Sequence, residues 1–431
     1  MEQGKSYRDL ITIDRSDIHN RKIIAKTDIK EGSLIYSTDP IEFAIHHQFR
    51  PKFCNHCLKF NNETIPCPGC GEVFYCKGEC TQADLPKHSE ECKIIKEVKE
   101  KHKIEITIEV LLSIRCLRSN SNKLDELYYN SLQITKEDEV LAKNTANALS
   151  EFFPKTKKKA IEKLVGKLLL NTYSFSLNDE AIKYALGLYY PSNFLNHSCS
   201  PNAIFIYRGP KQFVYALSDI KDGQEIVVSY GEYAKPYFAR INFLEKACLF
   251  QGGCDCPKCK NGLTSIRCQK CEKGEIAFLK RKFICGSCQS TYTHQEMQKL
   301  NSAIIARKEE VNKKTEEQEK LQALNELKKL VVDNNYYLAL ALEAMIKFYS
   351  GKENFEEAYK YSKDLLAKMF FLYKPIDPML GNQFIELGDV AIKANKAEEG
   401  KTYIQKGVKI LGFTSSESVI EGLKTKYKDI L

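Results

Sequence analysis

The 431-residue sequence has no apolar stretch approaching the ~20 residues needed to cross a bilayer. Its first residues, MEQGKSYRDLITID, also lack the apolar core of a secretion signal. Neither a membrane partner nor secretion is therefore expected. Charge of one sign is not in large excess, with 65 Lys+Arg against 56 Asp+Glu and a formal net charge of +9. That balance permits acidic partners without arguing for nucleic acid. The basic run Lys155–Lys159 has no interleaved aromatics and reads as a solvated helix or loop, so nucleic acid is not expected as the main ligand. No strong nuclear-localisation run is present, which leaves cytoplasm and nucleus both open. Hydrophobic residues at 43% and charged residues at 28% fit a globular chain, and the length predicts two to four domains.

What the chain has in quantity is cysteine, seventeen in all. With no sign of secretion, clustered cysteines point to metal ligands rather than disulfides. Cys54-x2-Cys57, Cys67-x2-Cys70, Cys76-x3-Cys80 and His88-x3-Cys92 supply eight candidate ligands. Two intervening residues let both thiolates of a pair reach one tetrahedral ion at about 2.3 Å. Three intervening residues place two side chains on one helix face. Eight ligands make two closed four-coordinate sites, which are structural because no position is left for water or substrate. His56, inside the first pair, reads as a surface residue.

Further along, Cys254, Cys256 and Cys259 offer three thiolates, one short of a closed site. Cys268-x2-Cys271 and Cys285-x2-Cys288 form another set of four, spaced as in a small zinc ribbon. Cys116 and Cys248 stand apart and read as apolar fillers.

Between and around these clusters the pattern changes. Ile23-Ile24-Ala25 and Leu34-Ile35-Tyr36 flank the turn Asp28-Ile29-Lys30-Glu31-Gly32. A near copy, Asp219-Ile220-Lys221-Asp222-Gly223, lies between apolar runs 213–217 and 225–228, and both turns are predicted to join antiparallel strands. Residues 93–187 read as helical, with Val110, Leu111, Ile114 and Leu117 at helical spacing. From about 295 onward the pattern is helical throughout, and Lys308–Lys320 reads as a solvated helix face. Amphipathic helices are predicted at Tyr337–Tyr349, Phe355–Phe371, Phe384–Ala394 and Ala397–Leu411, and their pairing suggests a tetratricopeptide-like array.

One segment narrows the function. Asn196-His197-Ser198-Cys199-Ser200-Pro201-Asn202 is followed by Glu225-Ile226-Val227-Val228-Ser229-Tyr230. These stretches resemble the N-H-S-C-x-P-N and E-[IL]-x-x-x-Y hallmarks of SET-domain methyltransferases. With the cysteine-rich insert, the helical stretch and the helical tail, nearly the whole chain resembles the SET-and-MYND family of protein-lysine methyltransferases. The resemblance implies an α+β multidomain fold. A SET β-fold with a pseudoknot would be formed from residues 1–50 and 188–233. It would be split by a MYND zinc finger at 54–92 and a helical insert at 93–187. A zinc-binding post-SET segment at 234–292 and a tetratricopeptide-like helical domain at 295–431 would follow.

The same resemblance implies S-adenosylmethionine as cofactor and a protein lysine as substrate, histone or non-histone. It assigns Cys54, Cys57, Cys76 and Cys80 to one zinc ion and Cys67, Cys70, His88 and Cys92 to a second. Cys199 would complete a third with Cys254, Cys256 and Cys259; a fourth, in the ribbon of Cys268, Cys271, Cys285 and Cys288, is expected from the spacing of those cysteines and not from the resemblance. Asn196 and His197 would contact the adenosine of the cofactor, Asn171 would add a further contact, and Phe250 would stack on the adenine. Tyr230 would be the catalytic tyrosine, lying beside the transferred methyl. The family carries a glycine-rich turn near its N-terminus, whereas Asp14–Lys22 has no glycine; Asn20, which tolerates left-handed φ, is expected to stand in for it. A monomer is expected, with peptide partners for the MYND finger and the helical tail. The other reading of the same residues is a catalytically weak SET/MYND scaffold that binds partner peptides.

Overall fold

A computed structural model describes residues 7–16, 21–119, 121–175, 184–248, 250, 254–279, 282–415 and 417–431. Asn20 lies outside the described residues, as do Asp17–His19 of the same turn. The chain divides into two units, one of residues 1–26, 34–195 and 205–214, the other of 27–33, 196–204 and 215–431.

The first unit carries short strands and the cysteine-rich insert. Ile11–Asp14 pairs antiparallel with Lys22–Ala25, so that Ile11, Ile23 and Ala25 are buried. Phe43–Ile45, Ala185–Gly187 and Tyr173–Phe175 form a second antiparallel sheet with Ala185–Gly187 at its centre. A third sheet runs in the order Ala203–Arg208, Lys211–Ala216, Leu34–Thr38. Residues 93–187 are not helical throughout. The first helix starts earlier, at Cys80, and runs to His102; helices Ile108–Ser119, Lys136–Leu149 and Lys158–Asn171 follow, and strands Tyr173–Phe175 and Ala185–Gly187 close the stretch. The apolar faces of these helices, with Ile95, Val98, Leu111, Ile114, Leu149 and Ile161, make one core with the ligand cysteines of the insert.

In the second unit the two near-identical turns bind each other rather than closing hairpins of their own. Ile29 and Ile220 exchange backbone hydrogen bonds of 2.8 Å each way. Lys30 Nζ reaches Asp219 at 2.7 Å and Lys221 Nζ reaches Asp28 at 2.9 Å, while Glu31 N and Asp222 N donate to the same two carboxylates at 3.0 Å. Gly32 and Gly223 end the turns at φ +79° and +75°, where a side chain would be strained. Each turn joins strands of different sheets, since Lys22–Ala25 and Leu34–Thr38 pair with other partners, as do Lys211–Ala216 and Val227–Val228.

A four-stranded antiparallel meander follows, from Leu263–Arg267 through Glu275–Leu279 and Lys282–Cys285 to Thr291–Tyr292. Helices then occupy His294–Lys313, Glu317–Leu330, Tyr336–Gly351, Phe355–Leu372, Pro378–Lys393, Ala397–Thr414 and Glu417–Lys426. Ile266, Ile276, Phe283 and Tyr292 of the meander share one apolar core with Met297, Leu327, Leu342, Leu365 and Leu380 of the helices. Two expectations change here. The charged run 308–320 is broken after Lys313, and Lys320 is buried, its Nζ donating to the Val311 carbonyl at the helix end. The helix expected at Phe384 begins at Pro378, because Asp377 caps it, accepting from Met379 N at 2.9 Å, and proline suits the first helical turn. Among the described residues no helix is long and apolar enough to cross a membrane.

Candidate active site and metal centres

The strand pair Asn196–His197 and Val227–Val228 is parallel, in register Val227 to Asn196 and Val228 to His197. That register sets Tyr230 beside His197. The Tyr230 backbone N–H donates to His197 Nδ1 at 3.1 Å, and the two rings lie 5.2 Å apart. Phe250 completes a cluster of three rings, its centroid 5.7 Å from His197 and 6.0 Å from Tyr230, edge-on to both. Burial pushes the Tyr230 hydroxyl well above the ordinary tyrosine range, with the nearby Cys248 and Glu225 adding to it. Tyr230 is thus held as a neutral phenol, able to donate and accept.

The polar side chains of the N-H-S-C-S-P-N stretch are spent on holding this pair of strands. Asn196 Nδ2 donates to Glu225 Oε1 at 2.8 Å. Asn202 Nδ2 donates to the Glu225 carbonyl at 2.8 Å and its Oδ1 accepts from Val227 N at 2.8 Å. The Ser198 hydroxyl accepts from Ser200 N at 3.0 Å, which turns the chain so that Cys199 faces inward, fully buried. Glu225 is the residue that sequence reasoning left without a role. Its position at the head of the E-I-x-x-x-Y stretch was the available signal. A cavity of about 60 Å³ adjoins His197 and Cys199 and is lined also by Ser229, Glu232 and Arg240.

Sixteen ligand side chains gather into four tetrads, each with its ligand atoms within 4.8 Å of one another. They are Cys54/Cys57/Cys76/Cys80, Cys67/Cys70/His88/Cys92, Cys199/Cys254/Cys256/Cys259 and Cys268/Cys271/Cys285/Cys288. Sulfur pairs stand at 3.8 Å (Cys57–Cys76), 3.6 Å (Cys67–Cys92), 3.6 Å (Cys199–Cys259) and 3.7 Å (Cys268–Cys288). A tetrahedral zinc with bonds of about 2.3 Å demands sulfurs about 3.8 Å apart, whereas a disulfide would need about 2.05 Å. The donor sets fit zinc in number, geometry and softness. His56 is exposed and outside the tetrads, and Cys116 is buried in the apolar core.

The second tetrad has an outer layer that the sequence did not announce. His88 faces Cys70 through Nε2 at 3.5 Å and Glu91 through Nδ1 at 3.2 Å. Arg115 grips both Glu91 oxygens at 3.0 Å and reaches Asn55 Oδ1 at 2.9 Å. Burial alone would raise the Glu91 carboxyl, but Arg115 and His88 hold it down at about 2. A carboxylate behind a ligating histidine fixes its ring and tautomer.

Asn171 lies in the first unit, at the end of helix Lys158–Asn171. Its side chain bridges the Tyr128 backbone, accepting from N at 3.1 Å and donating to O at 2.8 Å, and it also donates to the Lys167 carbonyl.

The comparisons agree with this geometry. The family model described as the SET domain matches residues 20–231. Histone-lysine N-methyltransferase ASHR1 of Arabidopsis thaliana is 24% identical over 429 residues, covering 91% of this chain and 88% of that protein. N-lysine methyltransferase SMYD2-B of Danio rerio is 23% identical, covering 88% of each. Histone-lysine N-methyltransferase SMYD3 of Homo sapiens is 26% identical over 254 residues, 55% of this chain and 58% of that protein. A crystal structure of the SET domain of LSMT bound to lysine and AdoHcy aligns at 11% identity with a TM-score of 0.29, too loose a likeness to carry an argument. Residues 20–231 thus match the SET domain, and with the interleaved cysteine pairs and relatives that span most of its length, this chain is similar to the SET-and-MYND lysine methyltransferases.

Proposed function

We propose that the protein is an S-adenosylmethionine-dependent protein-lysine N-methyltransferase, and that Tyr230 is its catalytic residue. The observation that carries this is the ring cluster of His197, Tyr230 and Phe250, built on the Asn196–Glu225 link and on the strand that delivers Cys199 to a thiolate tetrad. The cofactor, when bound, supplies a methyl group on a sulfonium centre. A face of aromatic rings suits a cation of that kind.

The chain's own residues do the rest. Asn196 and His197 would hold the adenosine, with their backbone fixed by the pairing to Val227 and Val228. Phe250 would cover the adenine, with the rings of His197 and Tyr230 against its edge. Lysine attacks only as a neutral amine, and its reference pKa near 10.4 must fall. Desolvation against the rings favours the uncharged form. Tyr230, kept as a phenol, would accept from the amine and aim its lone pair; alignment of that kind contributes up to roughly 7–11 kcal/mol in favourable cases. The post-SET tetrad, closed by Cys199, would pin the segment carrying Phe250 beside the catalytic strand. Asn171, its amide engaged with Tyr128, would contribute through its backbone position, and Asn20 through the turn that contains it.

Histone or non-histone protein as substrate, peptide binding by the MYND finger and by a tetratricopeptide-like tail, a monomeric state, and residence in cytoplasm or nucleus all belong to this proposal. The test is Tyr230→Phe. Methyl transfer from labelled S-adenosylmethionine to protein lysine should fall by roughly a hundredfold or more. Calorimetric binding of the cofactor should stay within a few-fold of wild type. Asn196→Ala should instead abolish that binding, and wild-type turnover in Tyr230→Phe would remove Tyr230 from the mechanism.

A further inference from the structure

The Cys199 tetrad, once it holds zinc, poses a charge problem that the other all-cysteine tetrads meet in milder form. Four thiolates around one Zn²⁺ make a dianion. Three of the four cysteines in this tetrad are buried, against one in the Cys54 set and two in the Cys268 set. A dianion taken that far out of water needs cations close by.

Two cations stand there. Arg240, on helix Tyr237–Ala247, is buried and lines the cavity of about 60 Å³ together with Cys199. Its Nη1 donates to the Lys235 carbonyl, while Nε and Nη2 are buried with no acceptor among the described residues. Lys258, half-buried between the ligands Cys256 and Cys259, donates to the Tyr233 carbonyl at 2.8 Å. Its charge interacts with Arg240 and with Cys199, Cys259 and Cys256. The nearby carboxylates do not take these cations up. Glu232 lines the same cavity but accepts from Ala234 N at 3.0 Å, and among the described residues it pairs with neither cation. Asp255 is exposed and faces Lys260 at 3.8 Å.

We propose that Arg240 and Lys258 are positioning residues, a cationic clamp that balances the zinc-loaded Cys199 tetrad and ties it to the segment following Tyr230. Two positive charges match the dianion. Both side chains also grip backbone carbonyls of that segment, at Tyr233 and Lys235. The Tyr233 side chain is fixed from the helical array, its hydroxyl donating to Asp377 at 2.6 Å and accepting from Lys374 N at 3.1 Å. Tyr230 is thus followed closely by a stretch held through backbone and side chain alike. The purpose of the clamp rests on the methyltransferase reading, whereas its charge balance stands on the tetrad alone.

The experiment takes the zinc-loaded full chain and reads zinc affinity by competition with a chromogenic chelator. The step that is missing from Cys254→Ala belongs to this tetrad. Arg240→Gln and Lys258→Met, which remove charge, should each weaken that step roughly tenfold and leave the other three unchanged. Arg240→Lys and Lys258→Arg, which keep charge, should restore most of the affinity. A Cys254→His background removes one negative charge and should shrink the cost of Arg240→Gln. With zinc in excess, Lys258→Met should still lower kcat by roughly threefold or more, and Lys258→Arg should not. Unchanged zinc affinity in both charge-removing variants would overturn the proposal. So would an equal loss in the charge-keeping variants, since packing and not charge would then be at work. Methyl transfer by the wild type beside unaltered zinc affinity in the variants would sink the clamp and leave the enzyme reading. Charge-dependent zinc affinity in a chain that transfers no methyl group would keep the clamp and sink the enzyme reading.

Discussion

At the scale of single residues, the site depends on a carboxylate that touches no reacting atom. Glu225 holds the Asn196 side chain through Oε1 and the Asn202 side chain through its backbone carbonyl. Glu225→Ala leaves the second bond and removes the first. Cofactor affinity should drop by about tenfold, the loss expected when one charge-assisted hydrogen bond worth about 1.5 kcal/mol goes. Calorimetry reads this, and Tyr230 chemistry at saturating cofactor should persist. Asp377 offers a second residue-scale prediction. Burial raises its carboxyl to about 6, against the lowering pull of its bonds from Tyr233 and Met379 N. The folded state then holds this proton more tightly than the unfolded chain, so stability declines as pH rises from about 3.8 to about 6 and the full cost is present above that. Asp377→Asn keeps a good cap and an acceptor for Tyr233. The variant should melt higher than wild type at pH 8, by at most ~2–3 kcal/mol, with the gain shrinking towards pH 4. Equal melting differences at both pH values would show that Asp377 does not titrate in this window. The cysteine and histidine pairs were legible in the sequence because metal-ligand spacing is chemically demanding, whereas Asn196, His197 and Tyr230 stood out only through the resemblance to the SET hallmarks. Glu225, Glu91, Arg115 and Asp377 were not legible, because a single carboxylate or guanidinium has no spacing to betray it until its partner is known.

At the scale of elements, helix Cys80–His102 supplies Cys80, His88 and Cys92 as ligands and Glu91 behind them. The H-x-x-E spacing puts His88 and Glu91 on one face, a signal that becomes readable once His88 is known to bind metal. Glu91→Gln keeps the shape and loses the charge facing Arg115. Zinc affinity of this tetrad should fall by roughly 10- to 100-fold, measured by competition with a chromogenic chelator. The most closely packed helices, Pro378–Lys393 and Ala397–Thr414, owe their approach to glycine. A Cβ on Gly388 would stand 2.8 Å from the Gly400 carbonyl oxygen, and one on Gly407 2.7 Å from that of Gly381. Backbone cannot step aside as a side chain can. Gly388→Ala should therefore cost about 1–3 kcal/mol despite alanine's better helix propensity, seen as a lower urea midpoint. A stability gain would mean the two helices separate freely. Spacing of seven residues within each pair, Gly381 to Gly388 and Gly400 to Gly407, was the unread signal. The helices themselves were legible from their apolar spacing. The twin turns were legible only as repeats, since which turn binds which follows from chain crossings that no local pattern encodes.

At the scale of the whole molecule, the four tetrads serve as staples distributed along the chain, two in the first unit and two in the second. Four zinc ions per chain are expected by elemental analysis of protein prepared with zinc and freed of excess. Their release should be staggered, because a chelator must reach a sulfur before it can displace one. Cys288 of the ribbon is exposed, whereas three of the four ligands of the Cys67 tetrad are buried and its histidine is braced by Glu91 and Arg115. The first equivalent lost should then come from the ribbon and the last from the Cys67 tetrad. Cys288→Ser identifies the first phase: the variant should bind three ions and lack the fast step. Its consequence should reach beyond the ribbon. Cys268, Cys285 and Phe283 belong to the same core as Leu327, Leu342 and Leu380 of the helical array, so loosening the meander exposes helix surface as well. The variant should therefore melt earlier in the helical signal by circular dichroism while the Cys54 and Cys67 tetrads, which sit in a separate core, keep their zinc. Simultaneous loss of all four ions would instead mean that the two cores unfold as one cooperative body.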